Sequence, residues 1–230
     1  ARQLAEAYGF VRDDWNGFNV LHTAAARVGG LDLGFVPGEG GRDLRGILDG
    51  AGKGEIAVVY LLGADEIDTS RLGSAFVIYQ GHHGDAGARR ANVVLPGAAY
   101  TEKDGTYVNA EGRAQLGRRA VFPPGDARED WKILRALSEV LGHKLPYDRL
   151  GQLRQRLASV APTFGSLDAV MPAAWGAFGR DGPVDPQPFA YPIRDFYRTD
   201  PISRASPTMA ACAEAAAARQ APRVKTGTNG

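Results

Sequence analysis

Cysteine is almost absent from the chain, and this scarcity excludes several kinds of site. The 230 residues contain one cysteine, Cys212. A single thiol allows no internal disulfide, and it cannot supply the set of cysteines that holds an iron–sulfur cluster or an all-cysteine metal site. No apolar run approaches the roughly 18 residues that a membrane-spanning helix needs, and the first residues do not resemble a signal peptide. The sequence therefore favours a cytosolic or membrane-peripheral protein without direct membrane insertion.

An excess of charge of either sign is also lacking. The chain has 27 Lys and Arg against 26 Asp and Glu, which gives a formal net charge of +1. This balance offers no electrostatic reason to expect nucleic acid or an anionic membrane as a partner. The densest basic cluster (Arg113, Arg118, Arg119) lies among small residues without interleaved aromatic rings. We therefore predict no nucleic-acid binding.

Three short apolar runs predict a parallel β-sheet. They are Glu55–Leu62, Ala75–Tyr79 and Asn92–Leu95, rich in β-branched and aromatic residues. The first run is apolar on both faces, which favours a central strand covered by helices on each side. The sequence thus indicates an α/β protein with a three-layer, parallel-sheet domain.

Helical patterns and a hairpin surround these strands. The hairpin is predicted around residues 106–113, where alternating residues lead into a glycine turn. Gly29-Gly30 would end the second predicted helix, whereas Asp126 would cap the third and Glu129 would complete its capping box. The predicted helices are 2–8, 19–28, 127–141, 145–160 and 206–219, the last one rich in alanine.

The chain is expected to change character near residue 142. Residues 162–192 are rich in Pro, Gly, Ala and Phe and show little periodicity, which predicts a segment that wraps over a partner or over its own domain. The tail Ala221–Gly230 is predicted to be disordered. We therefore expect an α/β domain over residues 1–142 and an irregular, partly helical extension over residues 143–230.

Polar residues near predicted strand ends suggest ligand chemistry with weak specificity. Asp65, Glu66 and Asp68 follow the first predicted strand, at the end where open α/β sheets bind ligands, and they suit a divalent metal or a ribose. A solvated loop explains them more simply. The glycine-rich stretch Phe35–Gly41 suits a phosphate cradle, but it lacks the P-loop lysine and the GxGxxG spacing, which favours a connecting loop.

The sequence His82-His83-Gly84-Asp85 is the most attractive candidate site, although its spacing argues against a metal. Two imidazoles and a carboxylate suit zinc, and a His–Asp pair suits a general base. Adjacent strand residues point to opposite faces, however, so both rings reach one ion only in a strongly bent turn. Capping of the following segment by His or Asp is the simpler hypothesis.

Nucleophilic catalysis has little support in the sequence. No GxSxG motif is present, and Cys212 lies in an alanine-rich helix without a neighbouring histidine. Lys103 is a catalytic amine only if it is buried, and its neighbours Asp104-Gly105 indicate an exposed turn. His22 is a lone histidine of the kind that usually packs rather than binds.

The central residues carry a resemblance to a known family. Residues 91–113 (ANVVLPGAAYTEKDGTYVNAEGR) and the helix that follows resemble the molybdopterin-oxidoreductase superfamily. Four further blocks in order are similar to its complex I branch, the large iron–sulfur subunits of the peripheral arm of NADH:quinone oxidoreductase in mitochondria and alphaproteobacteria. They are Trp15–Gly34, Tyr79–Asp85, Leu145–Asp148 and Asp195–Cys212.

The resemblance implies a structural role in a large assembly. It implies that the chain, which starts at Ala1 without methionine, is the C-terminal portion of a longer subunit. In that family the missing N-terminal region holds one 2Fe–2S and two 4Fe–4S clusters, FMN lies on a neighbouring subunit, and the partners are other peripheral-arm subunits. No catalytic, cofactor-binding or metal-ligating residue carries over onto this chain.

Two other classes of function stay open at this point. One is a molybdopterin-dependent oxidoreductase with its own site near Asp65 and His82. The other is a small metal-dependent hydrolase centred on His82, His83 and Asp85.

Overall fold

The computed structural model describes residues 1–24, 27–171, 173–190, 192–193 and 195–220. Three short 3₁₀ turns lie at Thr69–Leu72, Tyr100–Glu102 and Pro162–Gly165. The elements follow the order α1 (Arg2–Ala7), β1 (Val11–Arg12), β2 (Trp15–Asn16), α2 (Arg27–Asp32), α3 (Leu44–Gly52), β3 (Val58–Leu62), β4 (Phe76–Gly81), α4 (Ala86–Arg90), β5 (Val93–Pro96), β6 (Gly105–Val108), β7 (Ala114–Gly117), α5 (Asp130–Val140), α6 (Leu150–Val160), α7 (Pro201–Ala205) and α8 (Pro207–Gln220).

A parallel sheet of β3, β4 and β5 organises the first part of the chain. The strands lie in the order β3-β4-β5, with Tyr60 opposite Ile78 and Ile78 opposite Val93. Alternate residues point to one face, where they form a buried core with α3 and the Thr69–Leu72 turn. The buried members of that core are Leu48, Ala51, Val59, Leu61, Leu72, Ala75, Val77 and Tyr79. The predicted α/β class and parallel sheet are confirmed.

The other face of the sheet is more open than the sequence predicted. Val58 and Phe76 are 56% and 45% exposed, and Leu62 is also exposed. Among the described strands β4 is central and β3 lies at an edge, so the prediction that the first run forms a central strand covered on both sides is wrong. An apolar face that is left uncovered within one chain looks the same in sequence as one that is buried.

The helix predicted over residues 19–28 is also wrong. Residues 19–24 are not helical, residues 25–26 lie outside the described part, and α2 begins at Arg27. Phe18, which precedes this segment, packs its ring against Trp175 and Phe178, with ring centroids 5.3 and 5.6 Å away. Gly29 lies inside α2 rather than at its end, and a β-carbon there would lie 3.3 Å from Val108 Cγ2.

Two later helices begin further along than the sequence predicted. α5 begins at Asp130 with Glu129 as the N-cap residue, so Asp126 does not cap it. α6 begins at Leu150 rather than Leu145, and Asp148 in the preceding loop accepts hydrogen bonds from Arg135 at 3.0 and 2.6 Å. Gly142, with φ +77°, follows α5 as expected.

The predicted hairpin is confirmed as β6 and β7, which pair antiparallel with Val108 opposite Ala114. Both of these residues are buried with Ala161 and Phe164, which follow α6. Asp168 N also donates a hydrogen bond to Ala114 O at 2.8 Å. The hairpin is therefore the platform on which the C-terminal part rests.

Residues 166–200, which we call the strap, have no helix or strand in their described positions. Trp175 Nε1 donates to Glu6 Oε1 at 2.8 Å, and Arg2 Nη1 donates to Phe178 O at 3.2 Å. The strap therefore wraps over its own chain, which was one of the two predicted roles. The predicted disorder of Ala221–Gly230 concerns residues outside the described part.

The end of the described chain consists of α7 and α8. Asp200 accepts hydrogen bonds from the Ile202 and Ser203 amides and caps α7, a helix that the sequence analysis missed. Ser206 Oγ accepts a hydrogen bond from Met209 N at 3.3 Å, which confirms Ser206 as the cap of the alanine-rich helix α8.

Candidate functional site

The loops after β3 and β4 form the carboxyl edge of the sheet, where open α/β sheets bind ligands. The first loop carries Asp65 and Glu66, and the second carries His82, His83 and Asp85. The structure thus brings together most of the candidate residues of the sequence analysis. Two polar clusters hold these loops in place.

Asp65 is a structural acceptor beneath the surface of this edge. It is 7% exposed, and its Oδ2 accepts a hydrogen bond from the Tyr79 hydroxyl at 2.7 Å. Its Oδ1 accepts from Gly87 N at 2.9 Å, which fixes the start of α4. Burial, reinforced by the hydrogen bond to Asp65, raises the pKa of the Tyr79 phenol. Asp65 therefore ties the loop after β3 to β4 and α4.

The first cluster, here called the Arg204 cluster, consists of Arg204, Asp85 and Glu66. Arg204 Nε donates to Asp85 Oδ2 at 2.6 Å, and Arg204 Nη1 donates to Glu66 Oε1 at 3.2 Å. The Arg204 side chain is 19% exposed. The hydrogen bond from Arg204 holds the pKa of the Asp85 carboxyl below its usual range. Asp85 also caps α4 through Ala86 N at 2.8 Å, as the capping hypothesis expected.

The second cluster, the Gln80 cluster, consists of Tyr60, Gln80, Lys103 and Asp130. Gln80 is fully buried, and its amide group is satisfied on both sides: the Tyr60 hydroxyl donates to Oε1, and Nε2 donates to Asp130 Oδ1 at 2.9 Å. Lys103 forms an ion pair with Asp130, which lies in the first turn of α5 where a carboxylate is favoured. The cluster joins the sheet to α5.

His82 and His83 converge, contrary to the expectation from strand alternation. Their Nδ1 atoms lie 2.8 Å apart, because the chain bends sharply as it leaves β4. Partial burial, together with His83 and Lys103, lowers the pKa of His82. Asp85 does not join the pair, since its carboxylate binds Arg204 and caps α4. The triad that a hydrolase needs is not assembled.

The remaining candidates have local structural roles. Asp68 caps the Thr69–Leu72 turn through Ser70 N at 3.1 Å. Phe35–Gly41 is a connecting loop before α3, and Asp43 caps that helix. Lys103 is 24% exposed and paired with Asp130, so it is not a free amine. Cys212 is partly buried in α8, and His22 lies in a loop.

Sequence reasoning missed Arg204 and Gln80, the residues that hold the edge together. Arg204 lies 119 residues from Asp85 in sequence, and nothing local in the sequence indicates that contact. A signal for α7 did exist: Asp200-Pro201 followed by Ser203 is a capping pattern.

Two further features, a metal-binding cluster and a membrane-spanning helix, are absent from the described residues. Those residues contain no group of three or more His, Cys, Asp or Glu side chains that could hold a metal ion. Within the same part of the chain, no helix combines the length and the apolar character that crossing a membrane requires.

These features define an α/β protein with a parallel sheet, in which hydrogen bonds and ion pairs join the loops at the carboxyl edge. Residues 1–140 match the family model described as molybdopterin oxidoreductase, and residues 162–212 match the model for the C-terminal region of the G subunit of NADH-ubiquinone oxidoreductase. Because the first match covers more than half of the chain, the chain belongs to the molybdopterin oxidoreductase family.

Curated relatives extend the similarity along nearly the whole chain. The mitochondrial NADH-ubiquinone oxidoreductase 78 kDa subunit of Neurospora crassa is 46% identical over 92% of this chain. The mitochondrial NADH dehydrogenase (ubiquinone) iron-sulfur protein 1 of Solanum tuberosum is 47% identical over 91%, and the G subunit of NADH-quinone oxidoreductase from Rickettsia bellii is 38% identical over 98%. The chain spans 28% of the length of the first two relatives and 32% of the third.

The cofactors that these names imply do not fit the residues present. Molybdopterin carries an anionic phosphate, whereas the carboxyl edge carries the carboxylates of Asp65, Glu66 and Asp85, and the partly buried cation there, Arg204, already binds two of them. Iron–sulfur clusters are held by sets of cysteine thiolates, and this chain has only Cys212. The polar clusters at the carboxyl edge therefore have a structural role.

Proposed function

We propose that this chain is the C-terminal scaffold of the large iron–sulfur subunit of proton-pumping NADH:quinone oxidoreductase. In this role it supports electron transfer from NADH, through FMN on a neighbouring subunit and through iron–sulfur clusters held elsewhere, to quinone. The clusters expected in the full subunit are one 2Fe–2S and two 4Fe–4S. The segment itself supplies no cluster ligand and performs no chemistry.

One observation carries this proposal: two family models match the chain in order, and the second is specific to the large subunit of NADH-ubiquinone oxidoreductase. The relatives whose names describe NADH dehydrogenase subunits match along 88% to 98% of the chain. A stand-alone molybdopterin enzyme would not be expected to carry the second match.

The open face of the parallel sheet supports a scaffold role. Val58 and Phe76 on this face are about half exposed, and Leu62 extends the apolar surface. An apolar surface of this kind in a water-soluble assembly is typically covered by other protein. We propose that the rest of the subunit or other peripheral-arm subunits of the complex cover it.

We further propose a peripheral location on the cytoplasmic side of a bacterial inner membrane, or on the matrix side of a mitochondrial one. The same proposal divides the chain into an α/β domain at residues 1–142 and a C-terminal extension at residues 143–230. The two family matches flank this division, and the core shared by Val108 and Phe164 holds the two parts together.

The test is co-purification from detergent-solubilised membranes. The protein is tagged at its C-terminus, isolated, and separated on a native gel that is stained for NADH oxidation. We expect the tag to migrate with the large NADH-oxidising band, together with bound FMN, iron and acid-labile sulfide. Migration as a small species without NADH oxidation would refute the proposal.

A charged substitution on the open face refines this test. Phe76→Glu places a carboxylate on the surface that we expect to be covered, so it should reduce the amount of the large band. Phe189→Glu is the matched control, because Phe189 is fully exposed in the strap. A large band as abundant in Phe76→Glu as in the unaltered protein would show that the open face is not an assembly surface.

A further inference from the structure

The contact between Arg204 and the sheet edge joins the two ends of the described fold. Arg204 belongs to α7, whereas its partners Asp85 and Glu66 follow the carboxyl ends of β4 and β3. The partners lie 119 and 138 residues earlier in the sequence. Because β3 and β4 are adjacent and parallel, the guanidinium spans the opening between their two loops. This opening lies at the carboxyl edge of the sheet, and we refer to it as the crevice.

The local structure presents Arg204 to this crevice in a defined orientation. Asp200 and Ser203 form a reciprocal cap, with Asp200 Oδ1 accepting from Ser203 N at 3.0 Å and Ser203 Oγ accepting from Asp200 N at 3.1 Å. The cap fixes α7, in which Arg204 is the next residue. The strap before it has no regular structure in its described positions, so tertiary contacts must hold it in place.

The electrostatics explain why an arginine is needed there. Three carboxylates (Asp65, Glu66, Asp85) lie on the two loops, and their mutual repulsion would open the crevice if no cation were present. The guanidinium neutralises two of them through separate nitrogen atoms, which a lysine cannot do with the same geometry. Arg204 Nε and Nη1 hold the guanidinium in place through Asp85 and Glu66, while the buried Nη2 has no hydrogen-bond partner among the described residues.

We propose that α7 is an intramolecular plug: Arg204 fills this crevice between the β3 and β4 loops and locks the strap onto the α/β domain. The crevice of this chain is thus closed by its own C-terminal part, and its surface groups are engaged with protein rather than with a small molecule. The proposal does not depend on membership of the respiratory enzyme.

Hydrogen exchange of the purified full-length protein tests the plug. The reporters are the amides of Ala86 and Gly87, which are bonded to Asp85 and Asp65, and the peptide covering residues 200–207. In Arg204→Ala we expect exchange to rise about tenfold or more in both regions, since charge-assisted hydrogen bonds are lost. The peptide covering residues 76–80 in β4 should keep its protection.

Arg89→Ala is the matched control. Arg89 also approaches Asp85, with Nη2 to Oδ1 at 3.5 Å, but its side chain is 77% exposed. An exposed pair of this kind contributes little, so we expect exchange to match that of the unaltered protein. Equal effects of Arg89→Ala and Arg204→Ala would mean that any nearby positive charge suffices, and the plug would be refuted.

Two further variants keep the test decisive if Arg204→Ala folds poorly. Arg204→Lys keeps the charge but loses the fork, and Asp85→Asn keeps an N-cap acceptor for α4 while it loses the charge. Each should raise exchange in the 200–207 peptide, and the double variant should add little to the larger single effect. Unchanged exchange of that peptide in both variants would overturn the proposal.

Discussion

The hydrogen bond from Tyr79 to Asp65 is the feature of the carboxyl edge whose energetic contribution is easiest to predict. Tyr79 and Asp65 are 1% and 7% exposed, and their oxygen atoms lie 2.7 Å apart. Tyr79→Phe removes the hydroxyl without altering the packing of the ring. The buried Asp65 carboxylate then keeps its hydrogen bond from Gly87 N but loses the one from the Tyr79 hydroxyl. Hydrogen bonds to charged groups contribute about 1.5–3 kcal/mol, so we expect the free energy of unfolding to fall by about 2 kcal/mol.

Urea denaturation followed by tryptophan fluorescence measures this loss. The denaturation midpoint should fall while the slope m stays the same, because the surface exposed on unfolding is unchanged. For a chain of this length, a loss of about 2 kcal/mol corresponds to a Tm lower by roughly 4–8 °C.

Tyr107→Phe is the matched control for this prediction. Tyr107 is 38% exposed, and its hydroxyl makes no hydrogen bond to the described residues. The control should lower the free energy of unfolding by less than about 0.5 kcal/mol. If Tyr79→Phe and Tyr107→Phe agree within that margin, the buried hydrogen bond does not stabilise the edge and the reasoning fails.

Three further predictions concern the backbone, the C-terminal core and pH. Gly73→Ala should lower the free energy of unfolding by more than about 2 kcal/mol in denaturation experiments, because the added β-carbon would lie 2.7 Å from Ala51 O on a backbone with positive φ. Gly54→Ala, at φ +75° but in open space, should lower it by only about 1–2 kcal/mol. Equal losses in the two variants would show that the contact with Ala51 does not matter. Phe164→Ala should lower it by about 3 kcal/mol, whereas the same change at exposed Phe189 should have almost no effect; similar effects would mean that the hairpin platform is not a core. The pKa of His82 is lowered in the fold, so its contribution to stability is fully present above the unfolded pKa near 6.5 and is lost as the pH falls through the lower folded pKa. His82→Gln should therefore reduce the fall in the free energy of unfolding between about pH 7 and 5, compared with the surface control His143→Gln. Parallel plots of that free energy against pH for the two variants would refute the prediction.

The sheet was predictable because its signal is local. Runs such as Ala75–Tyr79 are apolar, β-branched and bounded by glycine or turn residues, and they become β3 to β5 with shifts of a few residues. The hairpin and the cap at Ser206 were predictable for the same reason. What the runs could not show is which face of the sheet is covered, since that depends on protein beyond the strands themselves.

The misplaced helix near residue 19 shows a second limit. Glycine usually ends a helix, yet Gly29 lies inside α2, where a β-carbon would come within 3.3 Å of Val108 Cγ2. Phe18, just before the predicted helix, contacts Trp175 and Phe178. Both contacts join residues more than 70 positions apart in sequence, and local patterns do not indicate them.

The candidate site could be located from sequence, but its chemical role could not. Strand ends correctly indicated where Asp65, His82 and Asp85 lie. In the structure, Tyr79 donates a hydrogen bond to the Asp65 carboxylate and Arg204 donates one to the Asp85 carboxylate, which gives both carboxylates structural roles. Residues that suit catalysis by type and spacing serve here as internal hydrogen-bond and ion-pair partners, and only the fold reveals those partners.

The central proposal is that this part of the protein supports an assembly and supplies no catalytic group. The most direct test places Asp65→Asn together with His82→Gln in the natural protein and measures NADH:quinone turnover of membranes per bound FMN. The account predicts less assembled enzyme but an unchanged turnover per FMN, because the proposed scaffold role gives neither side chain a part in electron transfer. Full assembly with a turnover per FMN lowered about tenfold would correspond to about 1.4 kcal/mol of lost transition-state stabilisation, and it would contradict the account.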